Sequence, residues 1–222
     1  MTMDSDTAEF REQILAAALP HVAFDGWTER TLARGAADAG QPAEMARVAC
    51  PGGALDAIRC WSERDDRQML ATMAEVEPAR LRFRERMITA VRTRIAVNEP
   101  WREAVRRTLT FLSLPPNMAT GARCTYATVD AIWYAVGDTA TDFSFYTKRA
   151  TLIPIYAATV LYWLDDESED RAESWRFLER RIDDAMVIPS LQAKAGAALH
   201  RLTSPFSAGP PWRRRGANFG RW

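Results

Sequence analysis

Apolar residues recur at three- and four-residue intervals along almost the whole chain, in runs cut by glycine and proline, and strand-like alternation is absent. That spacing puts apolar side chains on one face of a helix, so an all-α fold is predicted. Phe10, Ile14, Leu15, Ala18, Leu19 and Val22 follow it behind Asp6-Thr7-Ala8-Glu9, whose acid and glutamate three residues apart resemble a capping box and predict a helix start. Asp25-Gly26 ends this helix. Thr28 is placed to cap a second helix with Leu32, Ala36 and Ala39; Gly40 closes it, and Pro42 suits the first turn of a third. After the break at Pro51-Gly52-Gly53, longer helices are predicted over Ala54–Val76, Ala79–Val97, Trp101–Leu112, Met118–Val136, Phe143–Leu164, Glu169–Val187 and Leu191–Thr203. The expected total is about ten helices.

With 222 residues, 47% of them hydrophobic, the chain has enough apolar material for one packed domain with a tail. Three stretches are expected: a trihelical unit over 1–50, a helical core over 54–187 in the same globular body, and an amphipathic helix with a basic aromatic tail over 190–222. No run approaches the roughly 18 apolar residues of a membrane span. The opening MTMDSDTAEF has neither an apolar signal core nor transit-peptide arginines, which predicts a cytoplasmic chain without a leader. Cys50, Cys60 and Cys124 form no CxxC pair, in keeping with a reducing compartment. The zero net charge conceals segregation: Pro78 to Arg107 has nine arginines and three acids, and Thr125 to Asp184 has twelve acids and six bases. Ala185 to Trp222 then has six bases and no acid. Such a tail suits an anionic surface.

Phosphate-binding glycine loops, GxSxG, HExxH and Glu-x-x-His spacings are all missing. No catalytic residue, metal ligand or cofactor is therefore predicted, and the chain is read as a non-enzyme. His21 reads as a hydrogen-bonded helix residue rather than a general base, and His200 lies near the opposite end of the chain. The acidic run Asp165 to Asp170 reads as a solvated loop before a helix, since it lacks calcium-loop spacing.

The N-terminal pattern, with Phe10, Ile14, Leu15, Ala18 and Leu19, then Asp25-Gly26-Trp27, then Ala36-Ala37-Asp38-Ala39-Gly40, resembles the helix-turn-helix of TetR-type repressors. The presumed recognition helix, Pro42 to Ala49, carries only Glu44 and Arg47 as charged residues. It offers no net positive charge to phosphates and few groups to read bases. The unit is thus a degenerate helix-turn-helix, with no nucleic-acid partner expected. A TetR-type regulator sensing a hydrophobic ligand is the alternative function.

Between Thr125 and Ile188 stand Gly137-Asp138-Thr139, Thr141-Asp142-Phe143, Tyr146-Thr147-Lys148-Arg149, Trp175-Arg176-Phe177-Leu178 and Arg181-Ile182-Asp183-Asp184-Ala185-Met186. These motifs resemble the coenzyme Q (ubiquinone) biosynthesis accessory family, which binds lipid on a TetR-like fold and assists demethoxyubiquinone hydroxylase. The resemblance implies a TetR-like helical bundle and a homodimer. It also implies a non-catalytic function, binding ubiquinone intermediates or phospholipid and presenting the quinone precursor to the hydroxylase.

Three groups of residues are expected to serve that function. Val129, Ile132, Trp133 and Val136, with Ile153, Ile155, Tyr156 and Val160 from a helix apolar nearly all round, are either a dry core or the wall of a lipid pocket; the resemblance favours the pocket. Pro154 is expected to kink that helix. In the second group, Phe143 and Tyr146 lie within about 60° of each other on a helix, while Phe145 is about 100° from Tyr146. One ring should therefore be exposed, unless the helix is buried all round. The resemblance assigns Asp142, Phe145, Tyr146, Lys148 and Arg149 to a hydroxylase-binding patch, the last two as its charged rim. The third group is Leu191, Leu199, Leu202 and Phe206 with Trp212, Arg213, Arg214 and Arg215, which combine an apolar face, cations and interfacial tryptophan. Peripheral attachment to an anionic membrane, at the inner face of the cytoplasmic membrane, is predicted; a helix docked on its own body is the alternative.

Overall fold

The computed structural model describes residues 2–76, 81–138 and 143–186, with side chains from residue 8 in the first stretch and from residue 146 in the last. Residues through Ile182 make one compact unit; Asp183–Trp222 make a second, of which 183–186 are described and are helical. Among the described residues every regular element is helical: α1 Thr2–Asp25, α2 Glu29–Asp38, α3 Met45–Ala49, α4 Gly53–Glu75, α5 Phe83–Ala96, α6 Arg102–Leu112, α7 Met118–Ala135, α8 Phe143–Asp165 and α9 over 172–186. Short 3-10 turns at Glu99–Trp101 and Glu169–Arg171 lead into α6 and α9. The all-α architecture predicted from apolar spacing is the one observed.

The core has two parts. In the first, Ile14, Leu15, Ala18, Leu19 and Val22 of α1 meet Leu32 and Ala36 of α2, Ala46 and Ala49 of α3, and Ala57, Ile58 and Trp61 of α4. Gly35 lets α1 and α2 approach closely, because a Cβ there would stand 2.6 Å from that of Ala18. Thr28 caps α2 as predicted, its hydroxyl accepting from the Thr31 N–H at 3.0 Å. His21 donates through Nε2 to the Asp38 carboxylate at 2.6 Å, tying α1 to the end of α2. In the second part, Met69 and Met73 from the C-terminal half of α4 pack with Met87, Val91 and Ile95 of α5. Val129, Ile132 and Val136 from the α7 region, Leu152 and Trp163 of α8, and Trp175, Leu178 and Ile182 of α9 complete it. α4 therefore runs through both.

Several expectations are corrected. α1 starts at Thr2 rather than at the Asp6 box, since nothing in Met3–Ala8 breaks a helix. The third helix shrinks to Met45–Ala49: Pro42, Ala43 and Glu44 make turns instead, bonded from Met45, Ala46 and Arg47 N–H. α8 is not enclosed all round, for Tyr146, Leu161 and Tyr162 are exposed along it. It remains one helix across Pro154. The stretch after α8 does not run straight into a helix, because Asp170 and Arg171 adopt positive φ of 51° and 57°. The helix expected over Leu191–Thr203 and the tail beyond it lie outside the described residues.

The acidic run at the α8–α9 corner is not a uniformly solvated loop. Arg102 donates to the carbonyls of Trp163, Leu164 and Asp166 at 2.6, 2.7 and 3.0 Å, and Arg106 to that of Leu164 at 2.8 Å. These guanidiniums satisfy carbonyls that a helix end leaves without partners. Asp166 is buried and accepts from the Ser168 N–H at 2.8 Å, the Ser174 N–H at 2.8 Å and the Ser174 hydroxyl at 2.6 Å. Burial opposes its charge, but the hydrogen bonds from Ser168 and Ser174 outweigh burial and hold the carboxyl well below the usual carboxylate range. Its stabilising effect is thus present above the unfolded-state value and lost as pH falls through the folded one. Asp166→Asn is expected to lower stability at pH 7 by about 1.5–3 kcal/mol in urea denaturation. The gap to wild type should shrink as pH drops below about 4; a gap that stays constant into acid would show that the carboxylate does not fasten this corner.

Candidate functional site

Between the two core regions lies a cavity of about 380 Å³. Each bordering helix contributes residues at helical spacing: Ile58, Trp61, Ser62 and Asp65 from α4, Val105, Thr108, Leu109 and Leu112 from α6, and Tyr156, Ala157, Val160 and Leu161 from α8. α7 presents Met118, Gly121, Ala122, Thr125 and Thr128, mostly small side chains that leave volume unfilled. Most of the wall is apolar. Met118 and Leu161, 57% and 58% exposed, mark where the cavity meets solvent.

The inner end is polar. Arg94 of α5 is buried and donates through Nε to Asp66 at 2.6 Å and through Nη2 to the Ser62 hydroxyl at 3.4 Å, with Asp65 at 3.6 Å from Nη1. Thr128 brings α7 into the cluster by donating to Asp66 at 2.9 Å, and Arg64 pairs with Asp65 at 2.8 Å. Burial disfavours the Arg94 charge, but the nearby Asp66 and Asp65 carboxylates outweigh it and raise its pKa. Burial raises the Tyr156 phenol, so its hydroxyl keeps its proton at neutral pH. Two further polar atoms on lining residues are buried without a hydrogen-bond partner among the described residues: Oδ1 of Asn98 and Nε1 of Trp61. Burial pushes the Cys50 thiol up to about 12 and raises Cys60 and Cys124 as well. None of the three is poised as a thiolate nucleophile. Among the described residues no group of three His, Cys, Asp or Glu side chains could hold a metal ion.

Residues 118–189, which supply α7, α8 and α9, match the COQ9 family. The chain is 33% identical over 184 residues to the human protein named ubiquinone biosynthesis protein COQ9, mitochondrial, covering 80% of this chain and 58% of that one.

The chain is similar to the COQ9 family.

Similarity extends to the Drosophila melanogaster COQ9 protein, 29% identical over 206 residues, 89% of this chain and 62% of that one. It also reaches the probable coq9 protein of Dictyostelium discoideum, 27% identical over 186 residues, 79% of this chain and 59% of that one. The chain thus spans about three-fifths of the length of these COQ9 relatives. Their names place them in ubiquinone biosynthesis and in mitochondria, so the expected cytoplasmic location draws no support from them. A TetR transcriptional regulator from Nitrosomonas europaea superposes with a TM-score of 0.64 at 20% identity, covering 79% of this chain and 97% of that one. The fold is TetR-like.

Within this fold the residues expected to bind lipid divide. Tyr156 and Val160 line the cavity. Val129, Ile132, Trp133 and Val136 instead fill the second core, with Ile153 and Ile155 packed against it. The reason is rotational: the strong apolar stripe of α7 packs against α4 and α5, and its smaller, more polar face borders the cavity. Of the expected partner patch, Tyr146 is 66% exposed, while Asp142 and the Phe145 side chain lie outside the described residues. Arg149 is not a surface rim but is buried, 5% exposed, donating to Asp130 at 2.6 Å, with Asp138 at 3.7 Å. Lys148 is half-buried, bonded to Asp138 at 2.6 Å, and lies 5.5 Å from the Trp133 ring centroid. Both cations fasten α8 to α7 and the turn after it. The expected membrane-binding residues, Leu191, Leu199, Leu202, Phe206, Trp212, Arg213, Arg214 and Arg215, lie outside the described residues. Among the described residues no helix is long and apolar enough to cross a membrane.

The residues of the candidate site and its supporting ion cluster that sequence reasoning missed are Asp65, Asp66 and Arg94. Their signal is a pair of acids in the middle of an otherwise core-forming helix, and an arginine placed by helical spacing on the stripe of Met87, Val91 and Ile95. Buried charges need partners, so such residues mark a polar site inside the fold.

Proposed function

We propose that this chain is a non-catalytic, lipid-binding accessory protein of ubiquinone biosynthesis. It holds an isoprenoid quinone intermediate between α4, α6, α7 and α8 and presents it to the demethoxyubiquinone hydroxylase. The carrying observation is the apolar cavity of about 380 Å³ with an apolar opening, in a chain whose relatives are named ubiquinone biosynthesis proteins. Its volume falls in the roughly 300–1,000 Å³ range of small-molecule sites. Oxidation chemistry belongs to the hydroxylase in this reading. This chain encloses the apolar ligand, keeps it from water and sets its direction of exit.

The regulator alternative is weakened by the N-terminal unit. α3 spans five residues, and its basic residue Arg47 is bonded to Glu29 at 2.8 Å. A major-groove reader needs cations directed at phosphates and polar groups directed at base edges.

Native mass spectrometry of the purified chain is expected to show a homodimer carrying an isoprenoid quinone. Val160→Asp, which puts an unpaired carboxyl on the apolar wall, should lower occupancy about tenfold or more in a protein that still folds. Lipid retained at the wild-type level in that variant would place the ligand elsewhere, and an empty wild-type protein unable to take up quinone would end the proposal.

The proposal also assigns outer surfaces: Tyr146 to the hydroxylase and the basic aromatic tail after Pro189 to an anionic membrane. Tyr146→Ala should change stability by no more than about 1 kcal/mol while weakening association with the hydroxylase. Truncation after Pro189 should abolish sedimentation with phosphatidylglycerol vesicles. Unchanged association, or unchanged sedimentation, removes the corresponding surface from the account.

A further inference from the structure

The cavity has two chemically different ends. Its outer end is bordered by Met118 and Leu161, apolar and exposed. Its inner end holds two buried polar atoms with no hydrogen-bond partner among the described residues, Oδ1 of Asn98 and Nε1 of Trp61, and the Tyr156 phenol also lines the cavity. Asn98 is only 7% exposed, so bulk water does not compensate its carbonyl oxygen. Orphaned polar atoms in a protein interior are costly, on the order of 1–3 kcal/mol each, and their persistence at one cavity is explained by a ligand that satisfies them. The two are an acceptor and a donor, and the Tyr156 hydroxyl lining the same cavity can do either. A plain hydrocarbon or polyprenyl chain offers nothing to any of them.

Charge narrows the ligand further. Arg94 is the only cation among the described lining residues, and its guanidinium is committed to Asp66, Ser62 and Asp65. A phosphate headgroup would therefore meet no unpaired positive charge at the inner end and would lie against the Asp65 carboxylate. A neutral ring bearing hydroxyl, carbonyl or methoxy oxygens meets the requirement.

We infer that the ligand enters ring first: a neutral, oxygen-substituted ring lies against Asn98, Trp61 and Tyr156, and its apolar chain leaves past Met118 and Leu161. The inference deepens the quinone-binding reading and rests on it. It gives the site a specificity-determining end and explains how about 380 Å³ can serve a ligand with a long chain, since only the ring and the adjoining chain need be enclosed. Handing the ring to a partner enzyme then requires the ligand to withdraw tail first, past Met118 and Leu161.

Three probes test this in a binding titration with the full chain: 2,3-dimethoxy-5-methyl-6-decyl-1,4-benzoquinone, decylbenzene with the same chain and no ring oxygens, and dihexanoyl phosphatidylglycerol. Tyr156→Phe and Asn98→Leu are each expected to weaken quinone binding about fivefold or more. Decylbenzene affinity should stay within about twofold of wild type, and the phospholipid should not displace the quinone. Tyr156→Phe keeps the ring packing, so it remains informative if Asn98→Leu lowers the melting temperature. Wild-type quinone binding that neither variant changes would overturn the ring-first orientation and leave the quinone reading standing. Displacement by the phospholipid would overturn the neutral-ring assignment. Absence of quinone binding to the wild-type protein would sink both readings.

Discussion

The buried ion cluster of Arg94 with Asp65 and Asp66 sets the architecture around it. α4 contributes to both core regions, and its two adjacent carboxylates fall between Trp61 on one side and Met69 on the other. Two charges removed from water there would be strongly destabilising alone; breaking such a pair typically costs about 3–5 kcal/mol. Arg94 therefore fixes α5 against α4, and the Thr128 hydroxyl fixes α7 to the same carboxylate. With three helices held at that junction, the space beside it is bounded by α6 and α8 and remains open as the cavity. The charged cluster is thus both the joint of the bundle and the inner end of its candidate site.

The helices were legible because apolar spacing reports one buried face directly. Ile14, Leu15, Ala18, Leu19 and Val22 point into the first core as the pattern requires, and Thr28 caps α2 through the expected hydroxyl. The cavity was less legible for a physical reason. Periodicity singles out the strongest apolar stripe, and on α7 that stripe, Val129, Ile132 and Trp133, is filled by neighbours. A cavity forms where side chains fall short, so its α7 wall is Gly121, Ala122, Thr125 and Thr128. Arg149 shows the same limit for charge. Its acidic partners Asp130 and Asp138 lie 19 and 11 residues earlier in the chain, beyond the reach of any i,i+4 rule.

The N-terminal helices carry the shape of a helix-turn-helix without its chemistry. Their hydrophobic contacts remain, including Trp27, which stacks obliquely on Trp61 and donates to Thr108 at 2.7 Å. That pair links the trihelical unit to α4 and α6, both of which border the cavity, and gives the unit a structural reason to persist. In the function proposed here a TetR-like fold serves as scaffold, and the cavity and outer surface carry the binding.

The account's central claim is that an apolar ligand occupies the space between the two core regions. Hydrogen–deuterium exchange of the full chain, with and without a short-chain dimethoxybenzoquinone, reads this directly along the backbone. Slower exchange is predicted in residues 58–65, 94–98, 105–112, 118–128 and 156–161, with α2 and α3 unchanged. Ligand-induced protection confined to α3 or to the C-terminal tail, with those five segments unaffected, would contradict the claim.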